Sequence, residues 1–127
     1  MIDLHSHILF ETDDGSKSLE ESVIMAKEAY DAGFTTICCT PHYLEPQYKK
    51  TKEENTKTLE RLKEELEKNN IPMELFLGNE IYIVNNIEEL VENNITSRMG
   101  NSEYILFELP LFQKLTNAVD IIRNLPY

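Results

Sequence analysis

The motif D-L-H-S-H at residues 3–7 has the residue types and the spacing of a metal site. Side chains two residues apart on a strand point to the same side, so His5 and His7 can present two imidazoles to one ion, beside the Asp3 carboxylate. An H-x-H pair alone is a weak signal, because histidines also occur at this spacing by chance. Further ligands must therefore come from elsewhere in the chain.

Candidate ligands also follow the other predicted strands. His42 comes directly after a buried strand, Glu80 follows the next one, and Glu108 lies near the end of a fourth. In a parallel sheet or barrel these strand ends meet on one rim, so groups distant in sequence converge. We therefore predict one metal site whose ligands are His5, His7, Asp14, His42, Glu80 and Glu108.

Each of these residues also has an ordinary structural explanation. Asp13 and Asp14 before Gly15 are typical of a turn, Glu80 of a surface carboxylate, and His42 of a hydrogen-bonding loop residue. Their joint position at strand ends favours the shared site.

Imidazoles and carboxylates without thiolates are typical of an open catalytic site for Mn²⁺, Fe²⁺ or Zn²⁺, and several carboxylates suit more than one ion. Such ions make hydroxide available near neutral pH and stabilise phosphoryl oxygens, so the pattern indicates phosphate-ester hydrolysis. A thiol phosphatase is disfavoured, because neither Cys38 nor Cys39 begins a C-x5-R loop.

The elements that must position these groups are predicted to alternate as β-α-β-α-β-α-β-α. Strands are expected at 1–5, 34–40, 73–78 (with 81–84 extending it or forming another strand) and 104–109, and a short helix at 87–92. This order predicts an α/β fold with a parallel sheet or barrel layered by helices.

Capping boxes predict where the two long helices begin, at Ser18 with Glu21 and at Thr51 with Glu54, and Gly33 is placed to end the first. A final helix should stop before Pro126. The predicted apolar stripes are Leu19, Val23, Ala26 and Tyr30 in the first helix, Leu59, Leu62 and Leu66 in the second, and Leu115, Val119 and Ile122 in the last.

The composition indicates one domain, since 127 residues with 41% apolar content can form a compact core. The net charge of -11 disfavours nucleic acid and anionic membranes as partners, although most of the acidity lies at 51–70 and is typical of a solvated helix face.

No apolar run approaches a membrane span or a signal peptide, so we expect a cytoplasmic protein. The adjacent Cys38 and Cys39 suit burial better than a disulfide.

The segments MIDLHSHILFETDDG, TPHY, GNEIY and YILFELP closely resemble the polymerase and histidinol phosphatase superfamily, specifically its CpsB-like bacterial tyrosine phosphatases, along essentially the whole chain. The H-x-H start is common to the superfamily, whereas D-D-G, G-N-E-I-Y and F-E-L-P belong to this branch. Ser16 departs from the pattern, since proline is frequent there.

The resemblance implies the first part of a distorted TIM-like barrel that holds up to three metal ions, usually with manganese activation. It implies hydrolysis of phosphotyrosine on bacterial tyrosine kinases that control capsule or exopolysaccharide assembly. By motif position, His5, His7 and Glu80 would contribute to one ion, Asp14 and His42 to a second, and Glu80 and Glu108 would approach the third.

Family members are much longer, and their later motifs add a histidine, an aspartate–histidine pair and a basic phosphate-binding residue that have no counterpart here. We therefore interpret residues 1–127 as one partial, truncated domain. An incomplete barrel is expected to self-associate or swap domains through uncovered edges, and to bind metal and turn over substrate less well.

Three alternatives differ in function. One is a small-molecule phosphatase of the histidinol-phosphate type, and another is a catalytically inactive remnant that binds metal weakly or only self-associates. A nucleic-acid phosphoesterase fits the H-x-H but not the acidic charge.

Overall fold

The computed structural model describes residues 1–109 and 118–123. Strands and helices follow the predicted order within these residues, with short strands added at 42–43 and 80–82. The strands are β1 (Ile2–Ser6), β2 (Thr36–Cys39), β3 (His42–Tyr43), β4 (Glu74–Leu77), β5 (Glu80–Tyr82) and β6 (Leu106–Glu108). The helices are α1 (Leu19–Asp31), α2 (Lys52–Lys68), α3 (Ile87–Glu92) and α4 (Ala118–Arg123).

The strands form two three-stranded sheets, in the orders β1-β2-β4 and β3-β5-β6. Every pairing within them is parallel, which confirms the predicted α/β class. The chain passes from the first sheet to the second twice, through Pro41 and through Gly78 with Asn79. Hydrogen bonding continues across these junctions, because Gly78 donates its N–H to Cys39 and Glu80 donates to Pro41. The carboxyl ends of the first sheet therefore lead directly into the second.

His42 and Glu80 differ from the prediction in one respect. Both were expected in loops after a strand, but each begins a short strand of its own, and the two are paired across β3 and β5. The break at Pro41 is brief because proline lacks an N–H but keeps its carbonyl, which accepts the N–H of Glu80 at 3.0 Å. This pairing fixes the two side chains next to each other.

The predicted helix starts are nearly correct. Thr51 and Glu54 form the complete capping box of α2. Ser18 caps α1 by accepting the N–H of Glu21, but the Glu21 carboxylate accepts from Lys17 instead, so that box is only half formed. None of the helices in the described ranges is long and apolar enough to cross a membrane.

The main core lies between α1, α2 and the first sheet. Leu59, Leu62 and Leu66 are buried there, as predicted. The segment 8–10 directly after β1 is also buried. Tyr30 is an exception to the predicted stripe of α1, being 42% exposed near the end of that helix.

The last predicted helix is present as α4, but its stripe differs from the prediction. Val119 and Ile122 are exposed, whereas Ile121 packs on the smaller core formed by Ile81, Ile87 and Val91. Leu115 and Pro126, which were expected to begin and to follow this helix, lie outside the described residues.

Both cysteines are free and fully buried on β2, as predicted. Burial raises the pKa of the Cys38 thiol to about 11 and raises that of Cys39 further still. Neither thiol is available as a nucleophile near neutral pH.

Candidate metal centre

The end of β1 directs two imidazoles toward one carboxylate. His5 Nε2 lies 2.8 Å from Glu80 Oε2, and His7 Nε2 lies 3.0 Å from the same oxygen. The two Nε2 atoms are 3.2 Å apart. Three potential ligand atoms from the two sheets therefore meet at one point, as the H-x-H spacing predicts.

Asp13 holds His7 in place by a hydrogen bond to Nδ1, the ring nitrogen that does not face Glu80. Its fully buried carboxylate accepts three hydrogen bonds, from His7 Nδ1 at 2.9 Å, from the N–H of His42 at 2.8 Å and from the N–H of Gly15 at 2.9 Å. Because Asp13 binds the Nδ1 side, the Nε2 lone pair of His7 is left facing Glu80. A carboxylate behind a histidine in this way is the usual support of a metal-binding imidazole.

The electrostatics of this pair agree with its geometry. The hydrogen bond to Asp13 raises the pKa of His7, although burial opposes the shift. Burial acts to raise the pKa of Asp13, but the three donors from His7, His42 and Gly15 outweigh it, so the pKa lies below the usual value. Asp13 is therefore ionised near neutral pH.

The metal-free chain is expected to lose stability as pH rises above 6.5, because the pKa of His7 is raised from that value. Because the pKa of His7 is raised, its contribution to the free energy of unfolding is complete below pH 6.5. That contribution is lost as pH rises through the raised pKa. Because the pKa of Asp13 is lowered, its contribution to the free energy of unfolding is present above pH 3.8. That contribution is lost in acid, as pH falls through the lowered pKa. Urea denaturation with a chelator from about pH 6 to about pH 9 measures the first effect, and a flat profile would contradict it.

His42 and Glu108 complete the cluster on the second sheet. His42 Nδ1 lies 3.4 Å from Glu80 Oε2 and 3.4 Å from Glu108 Oε2. Glu108 ends β6 opposite Tyr82, two residues beyond Glu80, so the strand register brings the two carboxylates to the same side. On its other nitrogen, His42 Nε2 lies 3.5 Å from Asp14 Oδ1.

The described residues contain three overlapping groups with ligand atoms close enough to hold an ion. They are His5, His7 and Glu80; His7, Asp13, Asp14 and His42; and His42, Glu80 and Glu108. With neutral imidazoles, the four carboxylates of these groups place four negative charges in a small volume. Bound cations would offset that repulsion, and the imidazole and carboxylate donors suit Mn²⁺, Fe²⁺ or Zn²⁺.

Buried polar side chains fix the strand ends that carry the cluster. The Thr40 hydroxyl oxygen accepts the N–H of Ser6, which ties β1 to the end of β2. The amide of Asn79 donates to Pro41 and accepts the N–H of Ser97, which anchors the residue before Glu80. Ser16 donates its N–H to the His7 carbonyl, a bond that a proline at this position could not make.

Gly15 is the residue whose substitution should disturb His7 most directly. A Cβ at this position would overlap the His7 carbonyl oxygen and lie 2.5 Å from the His7 Cβ. We expect Gly15→Ala to lower Mn²⁺ affinity by at least about tenfold, because a displaced imidazole loses its place in the cluster. Mn²⁺ titration followed by electron paramagnetic resonance measures this loss.

Gly33→Ala is the matched control for Gly15→Ala. Gly33 has a φ of 101°, so alanine costs stability there, but its Cβ would meet only the end of the Met1 side chain at 3.4 Å. We expect reduced stability with unchanged Mn²⁺ affinity. Equal effects of the two substitutions on Mn²⁺ affinity would contradict the steric argument.

All six residues predicted as ligands lie in this one cluster. Asp14 is the most exposed of them, with 65% of its side chain accessible. Sequence reasoning missed Asp13, which was interpreted as a turn residue; its contact with Gly15 does form such a turn, but the other oxygen serves His7 and His42. Asp3 accepts the backbone N–H of His5 and belongs to none of the three groups.

The parallel strands and helices define an α/β protein, and its histidines and carboxylates form a candidate metal centre at the carboxyl edge of the sheets. The family model for capsular polysaccharide synthesis, CpsB/CapC, matches residues 1–126. The chain belongs to this family.

Individual relatives agree with the family model. The chain is 36% identical to CapC of Staphylococcus aureus over 110 residues and 34% identical to the tyrosine-protein phosphatase YwqE of Bacillus subtilis over 110 residues. Each match covers 87% of this chain and 43% of the relative.

A solved structure has the same fold. It comes from the crystal structures of YwqE from Bacillus subtilis and CpsB from Streptococcus pneumoniae, described as unique metal-dependent tyrosine phosphatases. The TM-score is 0.93 with 31% sequence identity, and the match covers 98% of this chain and 51% of the solved chain. The chain thus spans about half the length of its relatives, and the structural match confirms the predicted resemblance.

Proposed function

We propose that this chain supplies one half of a metal-dependent phosphatase site that hydrolyses phosphotyrosine. The observation that carries the proposal is Glu80 Oε2, which lies within 3.4 Å of a ring nitrogen of all three histidines. The names of the relatives support the reaction class. The proposal covers residues 1–127 as one partial domain of that kind, since the family model spans residues 1–126.

The chain's own residues have distinct roles in this proposal. His5, His7 and Glu80 hold one cation, Asp14 and His42 hold a second, and Glu80 with Glu108 approach a third. Asp13 directs the Nε2 lone pair of His7 into the centre. When bound, divalent cations lower the pKa of water and stabilise charge on phosphoryl oxygens. We propose Mn²⁺ as the activating ion, with Fe²⁺ or Zn²⁺ as substitutes.

The substrate proposed from the family is a phosphotyrosine-bearing protein, the tail of a bacterial tyrosine kinase that controls capsule or exopolysaccharide synthesis, and the site of action is the cytoplasm. The family description as capsular polysaccharide synthesis supports this partner.

Mn²⁺ binding and hydrolysis of a phosphotyrosine peptide by the purified chain test the proposal. We expect saturable Mn²⁺ binding and Mn²⁺-dependent phosphate release, both lost in His5→Ala and His42→Ala. Lys27→Ala is the control, because Lys27 forms only an exposed pair with Asp31 on α1. Binding without hydrolysis at any Mn²⁺ concentration would contradict catalysis by this chain and favour a metal-binding remnant. Release of phosphate from histidinol phosphate alone would favour the small-molecule alternative.

We also propose that two copies of the chain associate through β1. This strand is at the end of the order β1-β2-β4 and exposes Ile2 and Leu4, which are 61% and 59% accessible. An uncovered apolar edge of this kind favours pairing with a second copy.

Sedimentation over a range of concentrations is expected to show dimer formation that Leu4→Lys weakens by about tenfold or more, since a charge would be placed in the apolar contact. Ile24→Lys on α1 alters a residue of similar exposure, 58%, and should leave association unchanged. A monomer at every concentration would contradict the proposed contact.

A further inference from the structure

A short hairpin places an aromatic ring beside the centre. Leu44 and Tyr48 exchange two backbone hydrogen bonds, of 2.7 and 2.8 Å, directly after β3. The Tyr48 ring stacks on His42 with the centroids 5.7 Å apart and an angle of 22° between the planes. The backbone of the hairpin thus holds this ring against a member of the cluster.

His42 stacks on two aromatic rings. It also stacks on His7, with the centroids 4.4 Å apart at 26°. His7, His42 and Tyr48 therefore form one three-ring stack, in which His7 is held by the 2.9 Å bond to Asp13 and Tyr48 by its hairpin. His42 contacts both of the other rings, and each of those two is held by hydrogen bonds.

The polar contacts of His42 are too long to orient its ring by themselves. Its ring nitrogens lie 3.4 to 3.5 Å from Asp14, Glu80 and Glu108, beyond the usual hydrogen-bond distance of about 3.2 Å. Flat stacking, in contrast, restricts the plane of the ring. Orientation of the imidazole plane therefore depends on the rings that stack on it.

We infer that Tyr48 is a positioning residue that holds the His42 imidazole in the orientation needed to bind a cation. The inference rests on the proposed metal centre and deepens it by naming a residue outside the ligand set. The aromatic face carries the role, because the stack is made by the ring and not by the hydroxyl. Phenylalanine at position 48 should therefore keep the positioning role, whereas alanine or leucine should lose it.

Mn²⁺ titration of the chain and its variants tests this. We expect Tyr48→Ala and Tyr48→Leu to raise the apparent dissociation constant for Mn²⁺ about threefold to tenfold, the factor that corresponds to loss of one stacking contact. Tyr48→Phe should bind as the unsubstituted chain does. Tyr104→Ala is the control, because Tyr104 is 77% exposed before β6. The leucine variant keeps apolar bulk on the hairpin, so it separates loss of the flat face from loss of the hairpin itself.

The metal-free chain gives a second, independent measurement. Ring protons of His42 should show nuclear Overhauser contacts to Tyr48 and ring-current shifts that disappear in Tyr48→Leu but persist in Tyr48→Phe. Unchanged Mn²⁺ affinity in Tyr48→Leu would overturn the inference while leaving the metal centre in place. If the unsubstituted chain bound no Mn²⁺, the proposed function would fail. In that case an absence of His42–Tyr48 contacts would overturn the positioning role as well, and their presence would support it.

Discussion

Replacing Glu80 with glutamine is expected to remove Mn²⁺ binding at two of the three candidate groups and, with it, Mn²⁺-dependent phosphate release. One oxygen of this carboxylate lies 2.8 Å from His5 Nε2, 3.0 Å from His7 Nε2 and 3.4 Å from His42 Nδ1. Two of the three candidate ion-binding groups include it. An amide keeps the size of the side chain but lacks the negative charge, so both groups lose a charged ligand together.

The loss should exceed what a supporting residue causes, which is typically about 10- to 100-fold in metal affinity. Glu74→Gln is the control, because Glu74 begins β4 in the first sheet and is exposed to solvent. Isothermal titration with Mn²⁺ measures both variants. If Glu80→Gln bound Mn²⁺ within about tenfold of the unsubstituted chain, Glu80 would not be the shared ligand that the geometry indicates.

Shared use of one carboxylate also predicts how the sites interact. Because Glu80 belongs to two groups, ions in those groups would compete for its charge and would also be held at a short distance from each other. The first Mn²⁺ should therefore bind more tightly than the next. Glu108→Gln, which alters only one of the two groups, should weaken the later binding event and spare the first.

The sequence was sufficient to predict where most of the candidate ligands lie, because they follow its strand pattern. His42, Glu80 and Glu108 each follow or end an apolar segment, and parallel strands bring such positions to one edge. The same rule could not predict that β3 and β5 pair His42 directly with Glu80. That register depends on the Pro41 carbonyl and the buried Asn79 amide, whose contacts are made only in the folded chain.

Asp13 and Tyr48 contact the candidate ligands, but the sequence did not predict either contact. D-D-G is typical of a turn, and the residue types alone do not tell which aspartate faces inward. Tyr48 follows a polar and proline-containing segment with no periodic pattern, so nothing marked it as a neighbour of His42. Both roles arise from tertiary contacts with an imidazole. Residues that orient a ligand are harder to predict than the ligand itself, since their position depends on where the ligand has already been placed.

Substitution of the adjacent residues Asp13 and Asp14 is expected to have very different effects on stability, because the two side chains differ in burial and in contacts. Asp13→Asn should destabilise the metal-free chain by about 3 kcal/mol, since it removes a fully buried carboxylate that accepts three hydrogen bonds. The new amide would also direct N–H groups at a site filled by the N–H donors of His7, His42 and Gly15. Asp14→Asn should leave the stability of the metal-free chain nearly unchanged, because this side chain is 65% exposed and its contact to His42 is 3.5 Å long.

Metal affinity should respond differently from stability. Asp14→Asn removes a candidate ligand, so Mn²⁺ affinity falls although the metal-free fold is intact. Asp13→Asn lowers both, because His7 no longer has a carboxylate that favours the proton on Nδ1 and leaves Nε2 for the cation. Urea denaturation with a chelator, Mn²⁺ titration and ¹⁵N spectra of the His7 imidazole measure the three quantities. An Asp13→Asn chain with unchanged stability and an unchanged His7 tautomer would contradict the supporting role of Asp13, whatever its effect on Mn²⁺ binding.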